Sequence, residues 1–416
     1  MNNRMAKITL LHYSAPPIVG GVETVICHQA RLMADAGHSV RVVAGRGEQF
    51  DARVPFGKLS LADSRHPDIL AVKNELDRGR VPPKFEELAS EIETALRPFI
   101  AETDILLAHN VCSLHKNLPL TAALFSLLVP REGAREHKRP RLILWHHDLA
   151  WTTPRYRAEL HAGYPWDLLK KAWPGATQVT VSGLRQEELA DLMQIKKDEI
   201  TVVPNGIHMA GFLKLETQTQ KYIKQLNLLD AAPLLLLPVR ITPRKNIELA
   251  LQVLAPLRKA FPEAQLIVTG PLGPHNPANA QYFDGLIALR KELGLVAAAH
   301  FLAELTGEYI PDGVISDFYK MADALFLPSR EEGFGIPVLE AGLAGMPVFC
   351  SDIPPLRKLG AEHATYFSPD ADPEKIAGLI AEYLNSSPVF GLRAAVKKNH
   401  TWSRVYSEKI APLLRL

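Results

Sequence analysis

ALFLPSREEGFGIPVLEAGLAGMPVFCS, residues 324 to 351, is the stretch whose reading decides the fold. It opens on an apolar run of strand length, 324–329, and passes through a glycine-broken loop from Arg330 to Pro337. A short apolar helix follows, with Pro337 suited to its first turn and Gly345 ahead of Pro347 as its stop. A second apolar run, 347–351, closes the stretch. Strand, helix and strand in that order make one βαβ unit, and such units build parallel sheets with helices on both faces.

Outward from this unit the same alternation fills the chain. Before residue 206, strand-length apolar runs stand at 8–13, 39–45, 104–110, 142–147, 177–182 and 200–205. After Asn205-Gly206 they resume at 234–239, 265–270, 300–302, 324–329, 347–351 and 365–368. Helical patterns lie between, such as VETVICHQARLMADAG, which ends at Gly37, and NIELALQVLAPLRKAFP. The polar stretch from about 208 to 232 reads as a boundary between two doubly wound domains. The expected division is 1–207, 208–400 and a last helix, 401–416, that packs back on the first domain. Residues 46–84 and the charged loop 130–140 read as irregular surface.

Composition narrows the class. With 416 residues the chain is too long for one ordinary core. A net charge of +2 supplies no field that calls for nucleic acid or an anionic membrane. The three cysteines, Cys27, Cys112 and Cys350, are scattered, which argues against a disulfide framework or a cysteine zinc site and for a reducing compartment. The apolar run near the N-terminus is broken by His12, Pro16 and Pro17, too short for a signal peptide, and no apolar window is long enough for a spanning helix. The expected location is cytoplasmic.

Three places carry chemistry. Gly20 and Gly21 follow the first strand and open a helix, where unpaired N–H groups and the helix dipole suit a phosphate, although this is not the GxGxxG fingerprint. Arg240 and Lys245, in PVRITPRKNIE, follow a strand and suit a diphosphate, one by a bidentate fork and the other as a compact charge; a solvated cationic loop explains them equally. Glu332 in the opening loop and Glu340 near the start of its helix could grip hydroxyl groups at two ends of one ligand, with backbone N–H groups of Gly333, Phe334 and Gly335 lining the same crevice. Helix capping accounts for one of these acids but not for both.

These residues together resemble the E-x7-E signature of retaining glycosyltransferases of the GT-B fold, in particular glycosyltransferase family 4. The resemblance extends over PPIVGGVE, VTVSGL, VVPNGI, FYKMADALFLPSREEGFG and TWSRV. It implies two Rossmann-like domains facing a central cleft, the first for the acceptor and the second for a nucleotide-diphosphate sugar. Glu340 would hold the ribose, Glu332 the transferred hexose, and Arg240 with Lys245 the diphosphate as leaving group. Gly20 and Gly21 would face the phosphate, and backbone groups around Glu304 and Leu305 the base. His147, in WHHDLAW, would approach the reacting sugar, with His146 on the opposite face of the strand.

The implied reaction is front-face transfer of a hexose, glucose or mannose, from a donor such as UDP-glucose or GDP-mannose to a small sugar, sugar phosphate or glycan. No cofactor and no metal is needed. Asp370-Ala371-Asp372 imitates a metal-binding DxD but stands where a helix cap belongs. Val239, Asn246 and His208 depart from the commonest residues of the family at their positions. Lys116, Arg155 and Arg157 are the candidate contacts for an anionic acceptor. A homodimer stays open, as do a sugar-nucleotide epimerase of the same architecture, a non-catalytic nucleotide-sugar binder, and transfer to a lipid-linked glycan.

Overall fold

The computed structural model describes residues 5–129, 139–272 and 277–415. Most of the charged loop 130–140 thus lies outside the described residues. Among the described residues thirteen strands form two sheets. The first holds β1 (Lys7–Ser14), β2 (Ser39–Arg46), β3 (Phe56–Lys58), β4 (Ile105–His109), β5 (Arg141–His146), β6 (Thr177–Thr180) and β7 (Ile200–Val202). The second holds β8 (Leu234–Leu237), β9 (Gln265–Val268), β10 (Ala299–Phe301), β11 (Ala324–Leu327), β12 (Val348–Ser351) and β13 (Thr365–Phe367). Every ladder in both sheets is parallel.

Continuous apolar runs become strands because helices cover both faces. In β1 every residue after Lys7 is buried, and all four residues of β8, β9 and β11 are buried. The spatial orders are β3-β2-β1-β4-β5-β6-β7 and β10-β9-β8-β11-β12-β13. Each order reverses direction once, between β1 and β4 and between β8 and β11. Ligands of doubly wound sheets bind outside the carboxyl ends of the strands at such switch points.

The chain divides into a unit of residues 1–206 with 402–416 and a second unit of residues 207–401. The second begins within one residue of the expected boundary and takes in the polar stretch 208–232. The helix Thr217–Leu226 buries Tyr222 and Ile223 in that unit's core, because its polar residues share one face. Residues 46–84 depart from expectation. They contain β3 and the helix Pro67–Leu76, and bury Leu59, Ala62, Ile69, Val72 and Leu76 in a core of the first unit. The apolar residues there are spaced singly among charges, so no run announced them.

The last residues also belong to the first unit. Helical turns at Trp402–Val405 and Ala411–Leu413 flank a π-helical turn at Tyr406–Ile410. Trp402, Val405, Ile410 and Leu414 pack into a core with Ile8, Ile26 and Met33, and the ring of Trp402 stacks on His28 with centroids 5.3 Å apart. No helix among the described residues is long and apolar enough to cross a membrane.

Candidate active site

The second unit's switch point is built from two loops. The first follows β8 and holds Arg240, which is exposed and has no ion-pair partner among the described residues. It runs tight against the loop after β9: a Cβ on Gly270 would lie 1.9 Å from the carbonyl oxygen of Val239, so only glycine permits the approach. Val239 itself is buried. Asn246 has φ 54° and ψ 44°, the left-handed conformation that glycine or asparagine tolerates. Its place in a position where glycine is frequent therefore has a backbone reason. Its side chain donates to the carbonyl of Pro369 at 3.1 Å.

The second loop follows β11 and carries Glu332. Lys245 Nζ donates to Glu332 Oε1 at 2.6 Å, with the side chains 9% and 8% exposed, and Arg244 stands 4.0 Å from the other carboxylate oxygen. Burial lowers the Lys245 pKa, and the Glu332 carboxylate works against that shift. The backbone N–H of Arg330 donates to the carbonyl of Arg244 at 2.8 Å, locking the two loops together. Arg330 serves neither glutamate, because its guanidinium pairs with Asp370. Asp372 caps the helix Pro373–Ser386, accepting from the N–H of Glu374 at 3.0 Å.

Gly335 turns the chain into the helix Ile336–Leu343 with φ 102°, and a Cβ there would meet Leu356 at 2.6 Å. Gly333 and Phe334 are exposed. Glu340 accepts from the Tyr319 hydroxyl at 2.6 Å and lines a cavity of about 430 Å3 with Asp312, Ser316, Tyr319 and Lys320. Burial first, and then Glu340, pushes the Tyr319 hydroxyl pKa up, so it stays a donor. Glu332 and Glu340 thus have separate partners within one unit. Glu304 is joined to neither: its carboxylate is gripped by Arg290 at 2.6 and 2.8 Å. The N–H of Leu305 is spent on the carbonyl of Leu302 at 2.9 Å.

The first unit's switch point lies at the ends of β1 and β4. A cavity of about 450 Å3 is lined there by His12, Ser14, Gly21, Glu23, Arg46, Arg65, Asn110, Lys116 and Asp148, among others. Gly20 caps the helix Gly21–Asp35 in an extended conformation, and a Cβ on it would displace the Glu23 carboxylate, 2.1 Å away. Ser14 donates to that carboxylate at 2.5 Å. His12 Nδ1 lies 2.8 Å from the carbonyl oxygen of His109, which can only accept. Nδ1 therefore carries the proton, and Nε2 of the neutral ring is an acceptor. Burial holds the His12 pKa down at about 4.

His147 follows β5. Its backbone N–H and that of Asp148 donate to Asn110 Oδ1 at 2.8 and 3.2 Å, and Asn110 adopts φ 58° to present that oxygen. The His147 ring lies 3.1 Å from His109 Nδ1 and is pushed down to about 3, first by burial. His146 points elsewhere, to Gln178 Oε1 at 2.8 Å.

Of the three expected acceptor cations, Lys116 alone lines the cavity. Arg155 stacks over Tyr156 instead, and neither it nor Arg157 lines the cavity. His12, Arg46, Arg65 and Tyr319 were missed by sequence reasoning. The rule used for β8 and β11, that strand ends hold the site, applied to β1 would have found His12. On the turn that carries Lys116, His115 lies 2.5 Å from Glu159, and Lys73 bridges Glu159 and Asp77 at 2.9 and 2.6 Å.

Both halves of this arrangement match family descriptions. The model described as "Glycosyltransferase Family 4" matches residues 19–210, and that described as "Glycosyl transferases group 1" matches residues 218–401. The chain belongs to glycosyltransferase family 4. Its two doubly wound parallel sheets are those of the GT-B fold. Relatives of this family 4 chain include the serotype-specific mannosyltransferase WbdA of Escherichia coli, 40% identical over 18% of the chain and 9% of that protein. The D-inositol 3-phosphate glycosyltransferase of Stackebrandtia nassauensis is 27% identical over 54% of the chain and 51% of its own length. The mannosylglucosylglycerate synthase of Thermotoga maritima is 25% identical over 84% of the chain and 83% of its own length. The chain thus spans about half or less of the length of the first two relatives.

Proposed function

We propose that this family 4 glycosyltransferase is a metal-independent, retaining hexosyltransferase that takes a nucleotide-diphosphate sugar as donor and a small hydroxylated acceptor. The observation that carries the reading is the Lys245–Glu332 pair at the ends of β8 and β11, with Arg240 exposed on the same loop as Lys245. An anion-seeking group and a hydroxyl-seeking group at one switch point suit a diphosphate joined to a sugar. Glu340, oriented by Tyr319, would hold the ribose.

In this mechanism Arg240 and Lys245 bind the diphosphate and stabilise the charge that grows on it as the glycosidic bond breaks. Binding of that anion competes with Glu332 for the Lys245 ammonium and frees the carboxylate for the hexose hydroxyls. The leaving phosphate accepts the proton of the attacking hydroxyl, so no dedicated base is required. Relatives named as a mannosyltransferase, a D-inositol 3-phosphate glycosyltransferase and a mannosylglucosylglycerate synthase support a mannosyl or glucosyl donor and a small acceptor bound by the first unit.

The test separates the two glutamates. Glu340→Gln should weaken nucleoside diphosphate binding, measured by calorimetry, roughly ten- to a hundredfold, the worth of a charged hydrogen bond. Glu332→Gln removes the competitor for the Lys245 ammonium, so it should leave that affinity undiminished or tighter and lower transfer from the intact donor. Equal loss of diphosphate binding in both variants would overturn the division. Turnover should persist in excess chelator, and its loss with rescue by a divalent ion would overturn the metal-independent mechanism.

A further inference from the structure

We propose that His109 is a positioning residue that fixes His147 as the tautomer with its proton on Nδ1, so that the His147 ring meets a ligand as a hydrogen-bond donor and not as a base. The tautomer is a property of the chain itself. Its use in transfer rests on the preceding reading, in which the leaving phosphate, and no side chain, takes the acceptor's proton.

The ends of β4 and β5 hold the two rings in place. His109 pairs with Trp145 across the ladder, and Trp145 and His147 stand two residues apart, on one side of their strand. Each of their rings stacks on that of His109 with centroids 5.4 Å apart. The backbone is held as well. His12 Nδ1–H donates to the carbonyl of His109 at 2.8 Å, and Asn110 accepts from the N–H groups of His147 and Asp148. His147 Nε2 lies 3.1 Å from His109 Nδ1, so one of these two nitrogens carries the hydrogen that joins them.

Burial keeps both rings neutral, His147 at about 3 and His109 well below its ordinary value. Each ring then has one proton, and two arrangements are open. If His147 Nε2–H donates, the proton of His109 stands on Nε2, which is buried and has no partner among the described residues. Trp145 Nε1 is also a buried donor without a partner, so the stack would hold two stranded donors. If His109 Nδ1–H donates instead, its stranded Nε2 is an acceptor. Native interiors tolerate a stranded acceptor more readily than a stranded N–H, so the second arrangement wins. His147 Nε2 is then spent as the acceptor, and its proton sits on Nδ1. His147 is half-buried, and no group among the described residues takes up Nδ1. That N–H is left for an oxygen of the ligand.

Nitrogen-15 NMR of the unliganded chain, labelled at histidine and assigned with His147→Gln, reads the proton on each ring nitrogen. At neutral pH His147 should show a protonated Nδ1 and an unprotonated Nε2. A proton on Nε2 would overturn the proposal with no variant needed at His109. Two substitutions then test the positioning role. His109→Asn places an amide N–H where Nδ1 stood, and His109→Leu places no donor there. The asparagine variant should keep the His147 tautomer, and the leucine variant should release it to the mixture of a free imidazole. With a hexose donor, His109→Leu should turn over about three- to tenfold more slowly than His109→Asn, the worth of one neutral hydrogen bond. Nucleoside diphosphate affinity should be equal in the two. The same His147 spectrum in both variants, or equal turnover despite different spectra, would overturn the positioning role. Absence of hexose transfer by the unsubstituted chain would overturn the preceding reading instead, and the spectrum would still decide the tautomer.

Discussion

At the scale of single residues, the first unit concentrates imidazoles that folding keeps neutral. His12 and His146 are held at about 4 and His147 at about 3, in each case chiefly by burial, and His109 is lowered well below its ordinary value for the same reason. Folded values below the unfolded one mean that the unfolded chain binds more protons between the two. Stability is then fully present above the unfolded value near 6.5 and is lost as pH falls through about 4. The shift to about 4 is worth on the order of 3 kcal/mol per group, and that of His147 to about 3 on the order of 5 kcal/mol. Trp145, stacked on His109 with centroids 5.4 Å apart, reports the change. Its fluorescence should show denaturant resistance falling steeply between about pH 6.5 and pH 4. A flat profile over that range would show that these rings are hydrated. Sequence could place His147 at a strand end and His146 on the other face. It could not place His12 against His109, or Lys245 against Glu332, because those partners meet only through the sheet order.

At the scale of elements, apolar runs made the strands legible, since buried parallel strands cannot hide their composition. What stayed hidden was structure with no run to announce it: β3, the helix Pro67–Leu76 and the π-helical turn at Tyr406–Ile410. Loop shape was legible only through residue type. Asn246 joins the short turn Pro243–Lys245 to the helix Ile247–Ala260 with φ 54°. Asn246→Ala should cost about 1–2 kcal/mol for the left-handed backbone, besides the lost bond to Pro369. Asn246→Gly loses the bond but not the conformation, so it should unfold at a higher temperature than the alanine variant. The reverse order in thermal unfolding would show that the side-chain bond, and not the backbone, fixes the turn.

At the scale of the molecule, the first unit's core is completed by residues far from it in sequence. Trp402 is 5% exposed and packs so closely that a Cβ on Gly206 would lie 2.7 Å from its ring. Trp402→Ala should therefore cost about 3–5 kcal/mol. The loss should fall on the first unit: limited proteolysis should cut within residues 5–129 or 139–206 before residues 207–401. Preferential cutting of the second unit would contradict the division. At this scale the alternation of strands and helices made two doubly wound units legible. The boundaries fall within one residue of the expected 207/208 and 400/401, and the polar helix Thr217–Leu226 belongs to the second unit by the one face it buries.

The second unit starts and finishes at one place, where the N–H of Ile207 donates to the carbonyl of His400 at 2.6 Å and Ile207 bridges to Thr401. It is an insert within the first unit, and translation feels the consequence. The ribosome delivers residues 1–206 first, yet Trp402, Val405, Ile410 and Leu414 emerge only after the whole insert has been made. The unit begun first is completed last. The nascent chain meanwhile carries an unfilled groove where those four side chains belong, and exposed apolar surface of that kind is what holdase chaperones bind.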